Sequence, residues 1–300
     1  MNTAINQVTI LTLMMLAGIV LRKKNILTNE VNKGLSDILM TITMPFMIIH
    51  SFNLEFSIDM LKNAGLILVY SLIIHIILIG LSKLLYYNFE PSKKTILSFS
   101  TVFSNCGFVG FPLAQGLFGS IGVFYTAIFS IPFNIIMFTY GVTLFTHKKD
   151  FKSIRKNLVN LPLICTILGI ILFLFSIKLP LPILKTLESI GNMTTSISMF
   201  IIGSMLADIE VKDVFKGFAV YYLSLIKLII VPLLSFAILK LLNADKDLAY
   251  ICVILVAMPT ASLVGVFAEK YNGNKEAASQ CAFLTTVLSI ITIPGILAII

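Results

Sequence analysis

Two short polar interruptions of otherwise apolar stretches hold the residues best suited to chemistry. They supply the candidate substrate-binding residues Asn105, Gly107, Gly110, Pro112, Gln115, Pro259, Thr260 and Ser262. Because glycine and proline disfavour a continuous helix, each interruption predicts a broken helix. Inside a membrane the freed backbone groups have no water to bond. They must therefore line a cavity, bind a ligand or bond to each other.

The two prolines indicate what such a site would bind. Since proline suits the first position of a helix, Pro112 and Pro259 are each predicted to begin a second half-helix. The free N–H groups and positive dipole ends of these half-helices favour an anion, particularly a carboxylate. Neutral hydrogen bonds would come from Asn105, Gln115, Thr260 and Ser262. The simpler alternative is a pair of structural proline kinks, which membrane helices tolerate.

Further polar candidates lie inside apolar stretches. Lys227 is predicted as a substrate counter-ion or as a fixed charge that replaces a coupling cation, because a lysine within a membrane is costly. Its structural alternative is a partner for a carbonyl or a half-helix C-terminus in the second repeat. His75 is a candidate for proton relay, although a lone histidine is more often structural. Two further polar faces could line the cavity or simply pack helices. One holds Asn192, Thr194, Thr195, Ser196 and Ser198, and the other holds Thr41, Thr43 and Pro45.

The composition decides which class of protein carries these residues. Hydrophobic residues make up 58% of the chain, charged residues 12%, and the mean hydropathy is +1.00. A soluble domain carries about 25% charged residues. Soluble enzymes, disordered proteins and disulfide-stapled secreted domains are therefore excluded. The net charge of +8 is better explained by basic cytoplasmic loops than by nucleic-acid binding. The four cysteines have no metal-site spacing, and no cofactor or metal is expected.

The apolar runs predict an all-α membrane protein with ten transmembrane helices. Lys and Arg are concentrated in one set of the intervening loops, which places that set in the cytoplasm and both termini outside. The most basic segment, His147–Asn157, would then be a cytoplasmic linker. The predicted spans are Ala4–Leu21, Leu35–His50, Leu61–Leu81, Ile96–Phe118, Val123–Phe145, Leu161–Ile177, Ile190–Ala207, Phe218–Leu241, Leu248–Ala268 and Ala277–Ile300.

The two halves of the chain resemble each other. The stretch around Gly18 matches the one around Gly169, and Ile48-Ile49 matches Ile201-Ile202, at offsets close to half the chain length. This predicts a first repeat over residues 1–146, a linker over 147–160 and a second repeat over 161–300. Because five helices is an odd number, the second repeat must be inverted. Inverted repeats with matched interruptions, here in the fourth and ninth helices, are typical of secondary transporters.

The run from Asn105 to Leu113 resembles the auxin efflux carrier family in its bacterial branch, which includes malate and malonate permeases. Matching stretches are Gly18–Lys24, Gly191–Thr195 and Phe267–Gly273. The resemblance implies crossed broken helices 4 and 9, as in bile-acid symporters and sodium/proton antiporters, and elevator-like movement of a transport part. It assigns Asn105, Gly107, Gly110 and Pro112 to the fourth-helix motif and Pro259 to the ninth-helix crossover. The chain departs from the family at Ser196, where relatives commonly have proline.

These features predict a secondary active transporter of a small organic anion, a mono- or dicarboxylate, in the plasma membrane. Substrate would bind at the crossover of helices 4 and 9. A coupling proton or sodium ion and a homodimeric assembly stay open. A channel or membrane sensor on the same fold is the alternative. An intramembrane enzyme is disfavoured because the three histidines have no catalytic spacing.

Overall fold

The structure is a computed structural model that describes residues 2–146, 160–208 and 217–300. The predicted basic linker His147–Asn157 lies outside the described residues, as do Lys212 and Lys216. Apart from one isolated bridge between Ser104 and Thr260, regular structure in the described ranges is helical. The predicted fold class of a multi-pass helical membrane protein is confirmed.

The first half of the chain contains seven α-helices and three π-helical segments among its described residues. The α-helices are α1 (Asn2–Lys23), α2 (Asn29–Ile38), α3 (Met44–Ser51), α4 (Ile58–Leu85), α5 (Pro91–Val102), α6 (Phe111–Ile136) and α7 (Val142–Thr146). The π-helical segments are π1 (Leu39–Thr43), π2 (Cys106–Gly110) and π3 (Met137–Gly141).

The second half contains seven α-helices and one π-helical segment among its described residues. These elements are α8 (Leu161–Leu174), α9 (Leu181–Ala207), α10 (Phe218–Leu225), π4 (Ile226–Ile230), α11 (Val231–Leu241), α12 (Lys246–Ala257), α13 (Leu263–Lys270) and α14 (Lys275–Ile299). Each of the ten predicted spans is largely helical. Within the described residues, seven helical segments are long and apolar enough to cross a membrane, so the count of ten crossings stays a prediction.

The predicted loop between Phe118 and Val123 is reduced to a bend inside α6. Gly119 has a φ of 60° and a ψ of −145°, which interrupts the helical geometry. Because a positive φ is readily adopted by glycine but costly for residues with a Cβ, this one residue is enough to redirect the chain between the predicted fourth and fifth spans.

Prolines account for three of the π-helical segments. The segments π1, π2 and π4 each end two residues before a proline, which is Pro45, Pro112 or Pro232. Proline has no N–H, and its ring clashes with the carbonyl four residues earlier. The preceding turn widens to five-residue spacing, and one carbonyl is left for another partner. These wide turns put irregular backbone at the positions where the site forms.

Close contact between α1 and α9 depends on glycine. A Cβ added to Gly203 would collide with the carbonyl oxygen of Met15 and would lie 3.0 Å from Cα of Gly18. A Cβ on Gly18 would lie 2.9 Å from Cα of Phe200. The two helices therefore meet backbone to backbone. A small hydrophobic cluster extends this contact to π2 and the start of α6.

Gly203→Ala is expected to destabilise the protein by about 1–3 kcal/mol, because the added methyl group can be accommodated only by moving backbone. The measurement is the melting temperature of the purified protein in detergent. Gly80→Ala is the matched control, since no atom lies within 4 Å of its added Cβ, and it should not lower the melting temperature. Equal melting temperatures for the two variants would contradict the predicted contact.

Candidate functional site

The two helix breaks bond directly to each other. The extended residues after α5 and those after α12 run antiparallel, with Ser104 opposite Thr260. The N–H of Asn105 donates to the carbonyl of Pro259 at 2.7 Å, and the N–H of Ala261 donates to the carbonyl of Phe103 at 3.0 Å. Mutual pairing, one of the three alternatives raised by the sequence, satisfies these four backbone groups.

Side chains satisfy the carbonyls at the C-terminal end of α5. The hydroxyl of Thr260 donates to the carbonyl of Ser100 at 3.4 Å. The ammonium of Lys227 donates to the carbonyl of Thr101 at 3.3 Å. Because the last carbonyls of a helix have no partner within it, these contacts cap a half-helix that ends in the protein interior.

The C-terminal end of α12 is capped in a related way from the opposite break. The hydroxyl of Ser104 donates to the carbonyl of Val256 at 3.1 Å. The thiol of Cys106 lies 3.7 Å from the carbonyl of Leu255, which is a contact typical of a weak S–H donor. That carbonyl lies four residues before Pro259, which has no N–H to offer it. Each break thus supplies caps for the other half-helix.

Lys227 connects the ends of both half-helices. Its side chain is completely buried, and its ammonium donates to the hydroxyl of Ser104 at 2.7 Å as well as to Thr101. No ion pair joins Lys227 to an acidic residue of the described ranges. Helix C-termini carry partial negative charge, so two of them converge on this cation. The half-helix that Lys227 contacts directly is α5, in the first half of the chain rather than the second.

Asn105 joins the two segments that follow the breaks. Its side-chain oxygen accepts from the N–H of Phe108 at 3.2 Å and caps π2. Its side-chain nitrogen donates to the hydroxyl of Ser262, the residue before α13, at 2.9 Å. One amide therefore contacts the N-terminal ends of both second half-helices. These ends carry the positive partial charge that favours an anion.

The two prolines do not begin helices as the sequence suggested. Pro259 lies in the extended break, and α13 begins four residues later at Leu263. Pro112 is the second residue of α6 but follows π2 without a gap. The wide turn before Pro112 frees the carbonyl of Phe108, and the hydroxyl of Ser198 donates to it. Proline here shapes the backbone before it rather than starting a helix.

A cavity of about 240 Å³ opens at the start of α13, between α9 and α14. Ser262 and Gly265 of the α13 region line it, together with Ser279 and Thr286 of α14 and apolar side chains of α9. Among the described residues, its one acidic lining residue is Asp208, which pairs with Arg22 at 2.6 Å. The cavity is therefore bordered by the N-terminal end of the half-helix α13 and by hydroxyl groups.

The structure brings some of the predicted binding residues together and leaves others apart. Thr260 is buried, and its N–H donates to Thr285 of α14 at 3.1 Å. Gly110 is packed, since its Cβ would lie 3.2 Å from Leu255, while Gly107 is half-buried and its Cβ would lie 3.8 Å from Cε of Met44. No side-chain hydrogen bond joins any described residue to three of the candidates, the exposed Asn192 and the half-buried Gln115 and Thr195.

Within the described residues His75 makes no hydrogen bond to either break, although its ring packs on that of Phe103 in the first break. It is buried on α4, and its Nδ1 lies 2.6 Å from the carbonyl of Ser71 in its own helix. The rings of Phe103, Phe129 and Phe133 surround its imidazole. This environment fits the structural alternative better than a relay between polar partners.

Sequence reasoning missed Ser104 and Thr285 as site residues. Ser104 directly precedes Asn105, so its place in the interruption was the available signal. Thr285 lies within the apolar pattern of α14 and gave no such signal. Both act through contacts between segments that are distant in the chain.

A multi-pass helical protein in which two broken helices pair in the interior, beside a polar-lined cavity, has the features of a membrane transporter. The chain matches the family described as "Membrane transport protein" over residues 3–297 and belongs to that family. The resemblance to the auxin efflux carrier family is thereby confirmed. This membership indicates a transporter rather than an enzyme.

Similar proteins come from archaea and bacteria. An uncharacterized transporter of Methanocaldococcus jannaschii is 28% identical over 299 residues, which cover 95% of each chain. A second uncharacterized transporter, from Methanothermobacter thermautotrophicus, is 28% identical over 210 residues, 68% of each chain. A protein of Rhizobium meliloti that is provisionally named as a malonate transporter is 25% identical over 219 residues, 70% of this chain and 68% of that protein.

Proposed function

We propose that this protein is a secondary active transporter of a small organic anion, a mono- or dicarboxylate. The observation that carries the proposal is the cavity at the start of α13, where Ser262 is both a lining residue and the hydrogen-bond partner of Asn105. A carboxylate there would meet hydroxyl groups and the positive end of a half-helix. The cavity volume of about 240 Å³ suits a small ligand, because pockets for drug-sized molecules measure about 300–1,000 Å³.

The electrostatics of the cavity are compatible with an anion. The carboxylate of Asp208 would repel one if it were unpaired. Arg22 binds it at 2.6 Å and also donates to the carbonyl of Leu27 and the side chain of Asn29, both at 2.6 Å. The ion pair therefore offsets the negative charge at the cavity wall. The name of the Rhizobium meliloti relative supports a dicarboxylate as the substrate class.

We propose an elevator-like movement between two groups of helices. One group contains α1, α3, α8 and α9, in which α9 packs on α1 and α3, and α3 packs on α8. The other group contains α13 and α14 with the breaks. The cavity lies between α9 of the first group and α13 and α14 of the second. Relative movement there would change access to the cavity. The predicted inverted two-repeat organisation would support such a mechanism, and the antiparallel pairing of the two breaks is compatible with it.

The cellular arrangement belongs to the same proposal. The protein would lie in the plasma membrane with both termini outside and the basic loops in the cytoplasm, as the distribution of Lys and Arg predicts. Labelling of single cysteines introduced at each terminus, with a reagent that does not cross membranes, tests this orientation in intact cells.

The test of function is a thermal-shift screen with malonate, succinate, malate and acetate on the purified protein, followed by uptake into proteoliposomes. Saturable uptake of a stabilising acid, accelerated by the same acid on the opposite side, is expected of a carrier. Conductance without saturation would indicate a channel. Binding without translocation would indicate a sensor. Either result would overturn the proposed function.

Asn105→Ala is expected to weaken binding of the identified acid at least about tenfold, since a hydrogen bond to a charged group contributes about 1.5–3 kcal/mol. The change removes the cap of π2 and the donor to Ser262. Asn134→Ala is the matched control, because within the described residues that amide bonds only to the carbonyl of Ser130 in its own helix. Unchanged affinity in a folded Asn105→Ala protein would remove this residue from the site.

A further inference from the structure

The α2–α3 segment and α9 form an antiparallel pair with a defined register. At one end, the side chain of Asn32 donates to the hydroxyl of Ser204 at 2.5 Å. At the other end, a Cβ added to Gly191 would lie 2.9 Å from Cα of Met47. Between these two contacts the segments run in opposite directions, so residue numbers rise along the α2–α3 segment as they fall along α9.

The register places two threonines opposite each other near the middle of this pair. Thr43 lies one helical turn before Met47, and Thr194 lies close to one turn after Gly191. Both are buried, with exposed fractions of 1% for Thr43 and 0% for Thr194. The hydroxyl group of each has no hydrogen-bond partner within the described part of the chain.

Two unpartnered hydroxyls at facing positions are unusual, because most buried polar side chains have a partner. Other buried helical threonines donate to the carbonyl four residues earlier, as Thr126 does to Gly122 at 2.7 Å. Thr43 and Thr194 make no such bond. Both hydroxyls therefore remain available to a ligand.

The pair lies beside the N-terminal end of π2. Ser198, one turn after Thr194, donates to the carbonyl of Phe108. Cε of Met44, the residue after Thr43, is 3.8 Å from the position of a Cβ on Gly107. The start of π2 is the end of a broken helix at which N–H groups favour an anion.

We propose that Thr43 and Thr194 form a second binding element for the carboxylate of the transported anion, which is closed in this structure. This inference rests on the proposed function. Asn105 and Ser262 would contact the substrate from the breaks, and the two threonine hydroxyls would contact it from the opposite helix pair. Binding would then require α9 and α3 to separate slightly from π2. The pair would thereby link substrate binding to the relative movement of the two helix groups.

The test uses Thr43→Val, Thr194→Val and the double variant, because valine keeps the shape of threonine and removes the hydroxyl. Purified full-length proteins are titrated with malonate, succinate and acetate, and the melting temperature is measured without ligand. The double variant is expected to bind the stabilising acid at least about tenfold more weakly. Its melting temperature should equal or exceed that of the wild type, since no hydrogen bond within the protein is lost.

Thr126→Val is the matched control, because that buried threonine does make a hydrogen bond within its helix. It should keep the affinity for the acid. Wild-type affinity in the double variant would overturn the proposal, as would a lowered melting temperature with unchanged affinity, which indicates a structural pair. If Asn105→Ala weakens binding and the double variant does not, only the threonine site fails. If none of these acids binds the wild type, the proposed function and the carboxylate site both fail.

Discussion

Lys227→Met is expected to abolish transport and to lower the free energy of unfolding by about 1–3 kcal/mol for each polar group that it leaves unpaired. The buried ammonium donates to Thr101 and Ser104, and Ser104 in turn donates to Val256. Methionine has similar length but offers no donor. The ends of α5 and α12, each with about half a negative charge, would then face an apolar side chain. Melting temperature and uptake of the identified acid are the measurements.

Lys240→Met is the matched control, because Lys240 is an exposed residue of the following helix. It should leave both properties unchanged. Burial of a charge can cost more than its partners return, so an apolar substitute can also stabilise a protein. A Lys227→Met protein of wild-type or higher stability that still transports would therefore contradict the capping role. A stable variant without transport would favour a coupling role for the charge over a structural one.

The sequence predicted the helices and the positions of both breaks because these depend on local properties. A run of apolar residues is enough to indicate a span. Glycine and proline disfavour the interior of a helix, so the interruptions near Asn105 and Pro259 could be predicted without any knowledge of packing. The resemblance to a transporter family was likewise carried by short contiguous stretches such as Asn105–Leu113.

Contacts between distant segments could not be read in the same way. The polarity of Gln115 and Asn192 suggested a site, but neither side chain bonds to the breaks. Thr285 is a polar residue in an apolar helix and looked like many others, yet it anchors Thr260. The partner of Lys227 also depended on how the two halves cross, which no local pattern records. A hydroxyl group or a charge in an apolar stretch indicates that a hydrogen-bond partner is required. Which residue supplies that partner is visible only in the packed fold.

The π-helical segments depend both on local sequence and on contacts between distant segments. Proline predicts that one carbonyl loses its donor, and Pro112, the second residue of α6, directly follows the wide turn of π2. Which group would replace the lost donor was not predictable. In the structure it is Ser198, from a helix almost ninety positions further along the chain. The local effect of proline predicts where the wide turn lies, whereas tertiary packing determines which group bonds to the carbonyl that the turn frees.

Pro112→Ala is expected to reduce transport at least about tenfold while the melting temperature stays equal or rises. Alanine restores an N–H that can donate to the carbonyl of Phe108, in competition with Ser198, and it allows π2 to tighten into an α-helix. Tightening of the wide turn from five-residue to four-residue spacing would rotate the backbone before it by about 100°. Asn105 would then lose its orientation toward Ser262. Proline inside a helix costs about 3 kcal/mol relative to alanine, so stability should not fall.

Pro294→Ala is the matched control, because Pro294 also lies inside a helix, α14, but is nine residues beyond Thr285, the contact of that helix with the break. This control should retain uptake.

Normal uptake by Pro112→Ala would show that the wide turn at π2 is dispensable and that Pro112 is a structural kink, which was the alternative raised by the sequence. Loss of uptake together with a large fall in melting temperature would mean that Pro112 acts through folding. A stable Pro112→Ala protein without transport would assign the irregular backbone at π2 to substrate binding. In that case the same substitution would stabilise the helix and remove the binding site.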